Sequence, residues 1–177
     1  MTANDMLIPT LTQGNERWYA VQTCARHEKR VRERLEKRTL EAFLPLYETV
    51  RHWKDRKANV QMPLFPGYLF VRVNLADRLH VLRVAGVVKL VEFGGRAAEL
   101  PSEEIEALRS GLLAGVQMEP HPFFKAGQRV RVFGGPLQGL IGVVVKRKNR
   151  ERFVVSVESI MRSFAVEVDG MELQVLS

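Results

Sequence analysis

The stretch Met62-Pro63-Leu64-Phe65-Pro66-Gly67-Tyr68-Leu69-Phe70-Val71 decides how the first part of this chain folds. Two prolines and a glycine interrupt a strongly apolar, aromatic run. Proline removes a backbone donor and fixes φ, whereas glycine relieves steric limits, so an ordinary central strand would not carry these residues. The stretch predicts a turn that presents Phe65, Tyr68 and Phe70 at the edge of a sheet, suited to docking on a partner. The alternative is a strand entry whose aromatic rings fill the core.

Strands and helices alternate around this turn. β-branched and aromatic runs predict four strands, at 17–23, 43–53, 60–73 and 87–93, with a charged hairpin tip at 54–59. Apolar spacing and capping residues predict three helices, at about 25–40, 77–84 and 102–111. The order β-α-β-β-α-β-α indicates an α+β sandwich, in which helices cover one face of an antiparallel or mixed sheet.

The sequence pattern changes from residue 123 onward. Alternating apolar residues at 129–132, 153–157 and 164–168 predict a small β-barrel, and no span there favours a helix. We therefore expect a disordered tail and two domains joined by a linker. The bounds are 1–16 for the tail, 17–112 for the first domain, 113–122 for the linker and 123–177 for the second domain.

Composition describes a normal globular chain that carries positive charge. The sequence has 177 residues, of which 46% are hydrophobic and 27% are charged, and its net charge is +7. A basic protein is attracted to polyanions, among which nucleic acid is the commonest.

Several classes of protein and site are excluded by what the sequence lacks. Cys24 is the only cysteine, so an intramolecular disulfide or a cysteine-rich zinc site cannot form. The histidines are scattered, and we expect no metal and no cofactor. No stretch approaches the roughly 20 apolar residues that span a membrane, and residues 1–17 lack the features of a signal peptide. Because no signal peptide and no membrane span are found, we expect a cytoplasmic protein, and we expect it to be monomeric. With no Walker loop and no nucleophile motif, we expect a binding protein and not an enzyme.

Glycines at fixed spacing mark the second domain. The pattern is Gly127-x-x-Val130-x-Val132-x-x-Gly135-Pro136-x-x-Gly139-x-x-Gly142-Val143-Val144. Gly135-Pro136 sets a tight turn, Gly139 lets the chain leave it, and Gly142 lets the next strand bend. This pattern resembles the KOW motif of ribosomal proteins and transcription elongation factors. The alternative is a generic SH3-like barrel.

Three features in order resemble the NusG family of transcription factors. They are the Trp18-Tyr19 strand, the Phe65-Pro66-Gly67-Tyr68 segment and the C-terminal KOW barrel. The fuller aromatic run, the compact length and the basic charge look more like a specialised, RfaH-like antiterminator of selected operons than like housekeeping NusG. RfaH can refold its C-terminal domain into helices, but glycines and valines disfavour helix here, so we expect a stable barrel.

The resemblance implies that the first domain binds the clamp helices of RNA polymerase and suppresses pausing and termination. The implied polymerase-binding residues are Phe65, Pro66, Gly67, Tyr68, Phe70 and, in a second loop, His80. It also implies contact with the non-template DNA strand through the first helical segment. The implied residues are Arg26, His27, Lys29 and Arg30. The alternative for that segment is a solvated helix face balanced by Glu28, Glu33 and Glu36.

In the family, the KOW barrel binds a small-subunit ribosomal protein or the termination factor Rho. By position, the implied loop is Ser159, Ile160, Met161 and Arg162, with Ile160 as an exposed apolar anchor. Burial of Ile160 under the barrel rim remains the alternative. Two other functions stay open, namely a general NusG-type factor that assists Rho and a ribosome-associated, RNA-binding KOW protein.

Overall fold

Two larger antiparallel sheets, of five and six strands, organise the described part of the chain, and two further strand pairs form small sheets of their own. The computed structural model describes residues 14–147 and 149–177, so most of the expected tail at 1–16 lies outside the described residues. We refer to residues 14–113 as the N-terminal domain and to residues 118–177 as the C-terminal domain.

The N-terminal domain contains nine strands, three helices and one 3-10 turn within the described residues. Its strands are β1 (Arg17–Thr23), β2 (Glu41–Phe43), β3 (Leu46–Trp53), β4 (Arg56–Pro63), β5 (Tyr68–Val73), β6 (Val87–Leu90), β7 (Glu92–Phe93), β8 (Arg96–Ala97) and β9 (Glu99–Leu100). Its helices are α1 (Glu28–Glu36), α2 (Arg78–Leu82) and α3 (Ser102–Leu113), and the 3-10 turn spans Leu75–Asp77.

The central sheet has the order β2-β5-β1-β6, and β9 pairs with β1. Successive side chains of a strand point to opposite faces. On β1, Tyr19 and Val21 face the core that holds α1 and α2, whereas Trp18 and Ala20 face the core that holds α3. The α+β class is confirmed, but the helices pack on both faces of the sheet and not on one.

The aromatic turn does not lie at a sheet edge as expected. β5 is an interior strand, because β2 pairs with it on one side and β1 on the other. The predicted strand at 60–73 is interrupted by the turn, so that its first half, β4, belongs to a separate hairpin with β3. The register of that hairpin places Trp53 opposite Arg56 across the two-residue turn Lys54-Asp55.

The C-terminal domain is a six-stranded antiparallel sheet. Its strands are β10 (Met118–His121), β11 (Arg129–Val132), β12 (Ile141–Arg147), β13 (Arg150–Val157), β14 (Arg162–Glu167) and β15 (Leu173–Val175). The strand order is β10-β14-β13-β12-β11-β15, and within the described part of this domain the only helical element is the 3-10 turn Glu158–Ile160.

The segment expected as a linker, 113–122, is partly a strand. β10 pairs with β14 along its whole length, from Met118 opposite Val166 to His121 opposite Ser163. The apolar Met118 explains this, because its side chain is buried in the core. Across residues 14–147 and 149–177, no helix has the length and apolar content that a membrane crossing requires.

Candidate docking site between the two domains

The Phe65-Pro66-Gly67-Tyr68 turn is held by hydrogen bonds from both sides. Gly67 has a φ of 84°, a left-handed conformation that favours glycine. Its carbonyl accepts from the backbone N–H of Thr23 at 2.8 Å. Its own N–H donates to Oε1 of Glu28 at 2.7 Å. The turn is therefore fixed to the end of β1 and to the first turn of α1.

Glu28 is a site residue that sequence reasoning missed. The alternative of a solvated helix face counted it among the exposed residues, but only 5% of its surface is exposed. A buried carboxylate needs hydrogen-bond partners, and the N–H of Gly67 supplies one. Helical spacing around Glu28 gave no signal for this role, since the turn that it contacts lies far along the chain.

The aromatic rings after and within the turn form a packed cluster. Phe65 and Phe70 are each 1% exposed, with ring centroids 5.8 Å apart in an edge-to-face arrangement. Phe43, on the neighbouring strand β2, has its ring centroid 6.3 Å from that of Phe70. The expectation that Phe65 and Phe70 are exposed is therefore wrong for this conformation. Tyr68 is half-buried against the same cluster.

Much of the cover over this cluster comes from the C-terminal domain. Phe164 of β14 packs edge-on against Phe65, with centroids 6.0 Å apart. The guanidinium carbon of Arg162 lies 5.8 Å from the centre of the Tyr68 ring. The aromatic cluster thus lies at the surface of the N-terminal domain, where the C-terminal domain covers it.

A second contact joins the domains beside the aromatic cluster. Gly111 of α3 faces Leu137, which precedes β12, and Met118 of β10. A Cβ atom at position 111 would come within 2.3 Å of Leu137 Cδ2 and 2.6 Å of Met118 Cε. The absence of a side chain at Gly111 therefore allows α3 to approach the C-terminal domain closely.

Arg109 packs against one side of the aromatic cluster and is a second residue that sequence reasoning missed. Its guanidinium carbon lies 5.4 Å from the Trp18 ring centre and 5.0 Å from that of Phe43. Ion pairs to Glu41 at 3.1 Å and Glu106 at 3.2 Å fix its orientation. Cation–π contacts of this kind depend on residues distant in sequence, so the spacing within α3 could not reveal them.

The expected partner loop of the C-terminal domain faces the N-terminal domain. Ile160 is 3% exposed and belongs to the same apolar cluster as Phe65 and Phe164. The expectation of an exposed Ile160 is wrong for this conformation, although Met161 beside it is exposed. Ser159 is half-buried and Arg162 contacts Tyr68. At Arg162 the expected partner loop therefore lies against the expected docking surface of the N-terminal domain.

The domains do not meet over their whole facing surfaces. A cleft of about 630 Å³ separates the start of α3 from the C-terminal domain. Glu104 lines it on one side, and the ion-paired Lys125 and Glu158 line it on the other, 3.2 Å apart. Burial raises the pKa of Glu104, and the neighbouring charge of Glu103 raises it further. The contact between domains is thus a local apolar patch bordered by open space.

The expected nucleic-acid residues lie at the start of α1, where the structure brings them together. Arg26 and Arg30 are exposed, whereas His27 is half-buried and packs near Gly86. The ammonium group of Lys29 donates to the backbone carbonyl of Gln61 at 2.9 Å, which ties α1 to β4. Lys29 therefore has a structural contact in addition to any role with a ligand.

His80 does not join the aromatic cluster. It lies on α2, which packs through Val81 into the core on the opposite face of the sheet. Its backbone carbonyl accepts a hydrogen bond from Arg38 at 3.2 Å. The structure thus separates His80 from Phe65, Tyr68 and Phe70.

The KOW-like glycines form the predicted turn, and Gly142 allows a close approach of two strands that the sequence did not predict. Gly135 and Gly139, on either side of the loop that follows Pro136, have φ values of 78° and 92°. At Gly142 a Cβ atom would lie 2.4 Å from the backbone oxygen of Val154, so β12 and β13 can approach only because no side chain is present.

Comparison with known proteins identifies relatives over nearly the whole chain. A family model described as "Transcription termination factor nusG" matches residues 16–109. The transcription termination/antitermination protein NusG of Thermus thermophilus is 30% identical over 173 residues, which cover 86% of this chain and 94% of that relative. The protein of the same name from Escherichia coli K12 is 29% identical over 175 residues, with 90% and 96% covered.

A solved structure supports the fold. The structure titled "Domain interaction in Thermotoga maritima NusG" matches with a TM-score of 0.52 at 24% identity, covering 92% of this chain and 93% of that one. The expectation of a specialised, operon-specific paralogue gains no support from these relatives, since they are named NusG.

Proposed function

Because this chain belongs to the NusG family of transcription factors, we propose that its N-terminal domain binds RNA polymerase through the aromatic cluster beneath the C-terminal domain. Members of this family are transcription factors and not enzymes. The proposed function is that of a transcription elongation factor, which binds the polymerase clamp helices and reduces pausing and termination.

One observation carries this proposal. Phe65 packs against Phe164 of another domain, so the aromatic cluster is already a surface that binds folded protein. Buried aromatic side chains are the usual hot spots of protein interfaces. Phe65, Pro66, Gly67, Tyr68 and Phe70 are the proposed polymerase-binding residues. His80 lies on the other face of the sheet, so we propose it only as a separate, peripheral contact with polymerase.

The same contact implies a closed and an open state. While Phe164 and Arg162 cover Phe65 and Tyr68, a polymerase helix cannot reach them, so polymerase binding requires the domains to separate. Only the open molecules can bind polymerase. The apparent affinity is therefore the affinity of the open state multiplied by the fraction of molecules that are open. Because Arg162 lies against Tyr68 in the closed state, separation would also free the edge of the C-terminal loop 159–162 for its own partner.

For that loop we propose the partners known in the family, a small-subunit ribosomal protein or Rho. For the start of α1 we propose a phosphate contact with the non-template DNA strand through Arg26, His27, Lys29 and Arg30. The exposure of Arg26 and Arg30 supports this, because solvated cations are available to phosphates.

The test is transcription by purified RNA polymerase through pause sites and terminators, with and without Rho. Tyr68→Ala should weaken polymerase binding by at least about 2 kcal/mol. The matched variant Tyr68→Phe retains the ring and should bind polymerase much more tightly than Tyr68→Ala. If the folded Tyr68→Ala variant binds polymerase as the wild type does, the assignment fails.

The Rho arm distinguishes two versions of this function. Reduced termination with and without Rho indicates an antitermination factor. Increased termination in the presence of Rho indicates a general factor that assists it. A chain that never co-purifies with polymerase would instead support the ribosome-associated alternative.

A further inference from the structure

The hairpin formed by β3 and β4 ends in an aromatic side chain that the sites above do not use. Trp53 is 52% exposed, whereas the only other tryptophan, Trp18, is 2% exposed. The guanidinium carbon of Arg56 lies 5.2 Å from the Trp53 ring centre. Tryptophan is among the most buried residue types on average, so an exposed indole at a hairpin tip calls for an explanation.

The residues around this indole are strongly basic. Within 51–57 there are four cations and one carboxylate, which gives a net charge of +3, and all seven residues are exposed. The cations are Arg51, Lys54, Arg56 and Lys57, and the carboxylate is Asp55. Charged side chains on exposed strands also prevent pairing with other chains, but that role does not account for a tryptophan.

The base of the hairpin is anchored while its tip extends away from the cores. Lys29 of α1 donates to the carbonyl of Gln61, and the N–H of Leu64 donates to the carbonyl of Pro45, each at 2.9 Å. Near the base, Leu46 and Tyr47 pack against the two cores. The tip is therefore presented on a fixed arm, with its side chains in solvent.

We propose that this hairpin tip binds single-stranded nucleic acid. An unpaired base stacks on the indole of Trp53, beside the guanidinium of Arg56, and Arg51, Lys54 and Lys57 attract the flanking phosphates. Stacking on aromatic side chains combined with backbone attraction to cations is the usual mode of binding to single strands. The site is distinct from Arg26 and Arg30 on α1 and from the aromatic cluster, and it requires neither polymerase nor domain separation.

The test uses the full-length chain without polymerase and fluorescently labelled strands of about 12 nucleotides, a length typical of one binding module. Four probes are compared at low salt: oligo-dT, oligo-rU, an abasic chain of equal length and a DNA duplex. We expect both single strands to quench the emission of Trp53, since Trp18 is buried. A preference between dT and rU then identifies DNA or RNA as the source of the strand.

The decisive variant is Trp53→Ala, measured by anisotropy of the labelled strand. We expect its affinity to fall by about 5- to 150-fold, which corresponds to the loss of one base–aromatic stack. The abasic chain should bind the wild type more weakly by a similar factor. Phe133→Ala is the matched control, because Phe133 is also exposed, at 64%, but lies in the C-terminal domain.

Three results would overturn the proposal. The first is wild-type affinity in a folded Trp53→Ala variant, as judged by circular dichroism. The second is equal binding of the abasic chain or of the duplex, which would leave only non-specific attraction to phosphate. The third is binding that disappears in Arg26→Ala with Arg30→Ala but not in Trp53→Ala, which would assign the strand to α1.

Discussion

Replacement of Gly111 by alanine should separate the two domains while leaving each of them folded. A Cβ atom at this position would come within 2.3 Å of Leu137 Cδ2 and 2.6 Å of Met118 Cε, and both of these side chains are buried. Forcing an extra methyl group into packed surroundings costs about 1–3 kcal/mol. The same substitution should stabilise the helix α3 itself, since alanine is favoured over glycine in a helix by about 1 kcal/mol.

The expected result is a shift of the closing equilibrium by about 5- to 150-fold toward the open state. The exposed Cys24, the only cysteine of the chain, provides one spin-label site in the N-terminal domain. A second label at Asp169→Cys, on an exposed turn of the C-terminal domain, completes the pair. The distance distribution between the labels should be narrow in the parent and broad in the Gly111→Ala variant.

Ser110→Ala is the matched control, because it lies on the same helix but is exposed. It should keep the narrow distribution. A narrow distribution in Gly111→Ala, together with a raised melting temperature, would refute the reasoning, since it would mean that the domains accept a methyl group at this contact.

Three further predictions concern the stability of the folded chain. Glu28→Ala removes the acceptor of the Gly67 N–H and should lower the free energy of unfolding in urea by about 1–3 kcal/mol, whereas equal stability would show that the bond is dispensable. Gly142→Ala should disrupt the C-terminal sheet, because the Cβ would lie 2.4 Å from the Val154 oxygen; an unchanged melting curve would contradict this. The pKa of Glu104 is raised by burial, so its contribution to stability is lost as pH rises through the folded-state pKa. Relative to the parent, Glu104→Gln should therefore become more stable with increasing pH, and a pH-independent difference would argue against it.

The sequence predicted local structure well where periodicity and turn chemistry act over a few residues. Val31 and Leu35 are both buried on α1 as their spacing indicated, and the glycine pattern at 135–142 forms the expected turn. Gly67 lies in the predicted turn and has a positive φ. These features depend on neighbours in the chain, and the physics that sets them is local.

What the sequence did not reveal is which residues cover one another. Alternation on β5 shows that Phe70 points to one face, but not that another domain lies over that face. Phe65 and Ile160 each suggested an exposed anchor when considered alone, yet both are buried, and Phe65 packs against Phe164 of the other domain. Glu28 likewise resembled a solvated helix residue until the turn at Gly67 was placed beside it. Contacts between distant segments carry no periodic signal.

The central claim is that polymerase binds the aromatic cluster beneath the C-terminal domain. The most direct test measures the affinity for RNA polymerase of three full-length proteins: the parent, Gly111→Ala, and the double variant Gly111→Ala with Tyr68→Ala. Uncovering the aromatic cluster should make Gly111→Ala bind more tightly than the parent, and the added loss of the Tyr68 ring should abolish that gain and weaken binding further. Equal affinity for all three proteins would mean that polymerase binds elsewhere on the chain, and that the surface beneath the C-terminal domain is a structural contact alone.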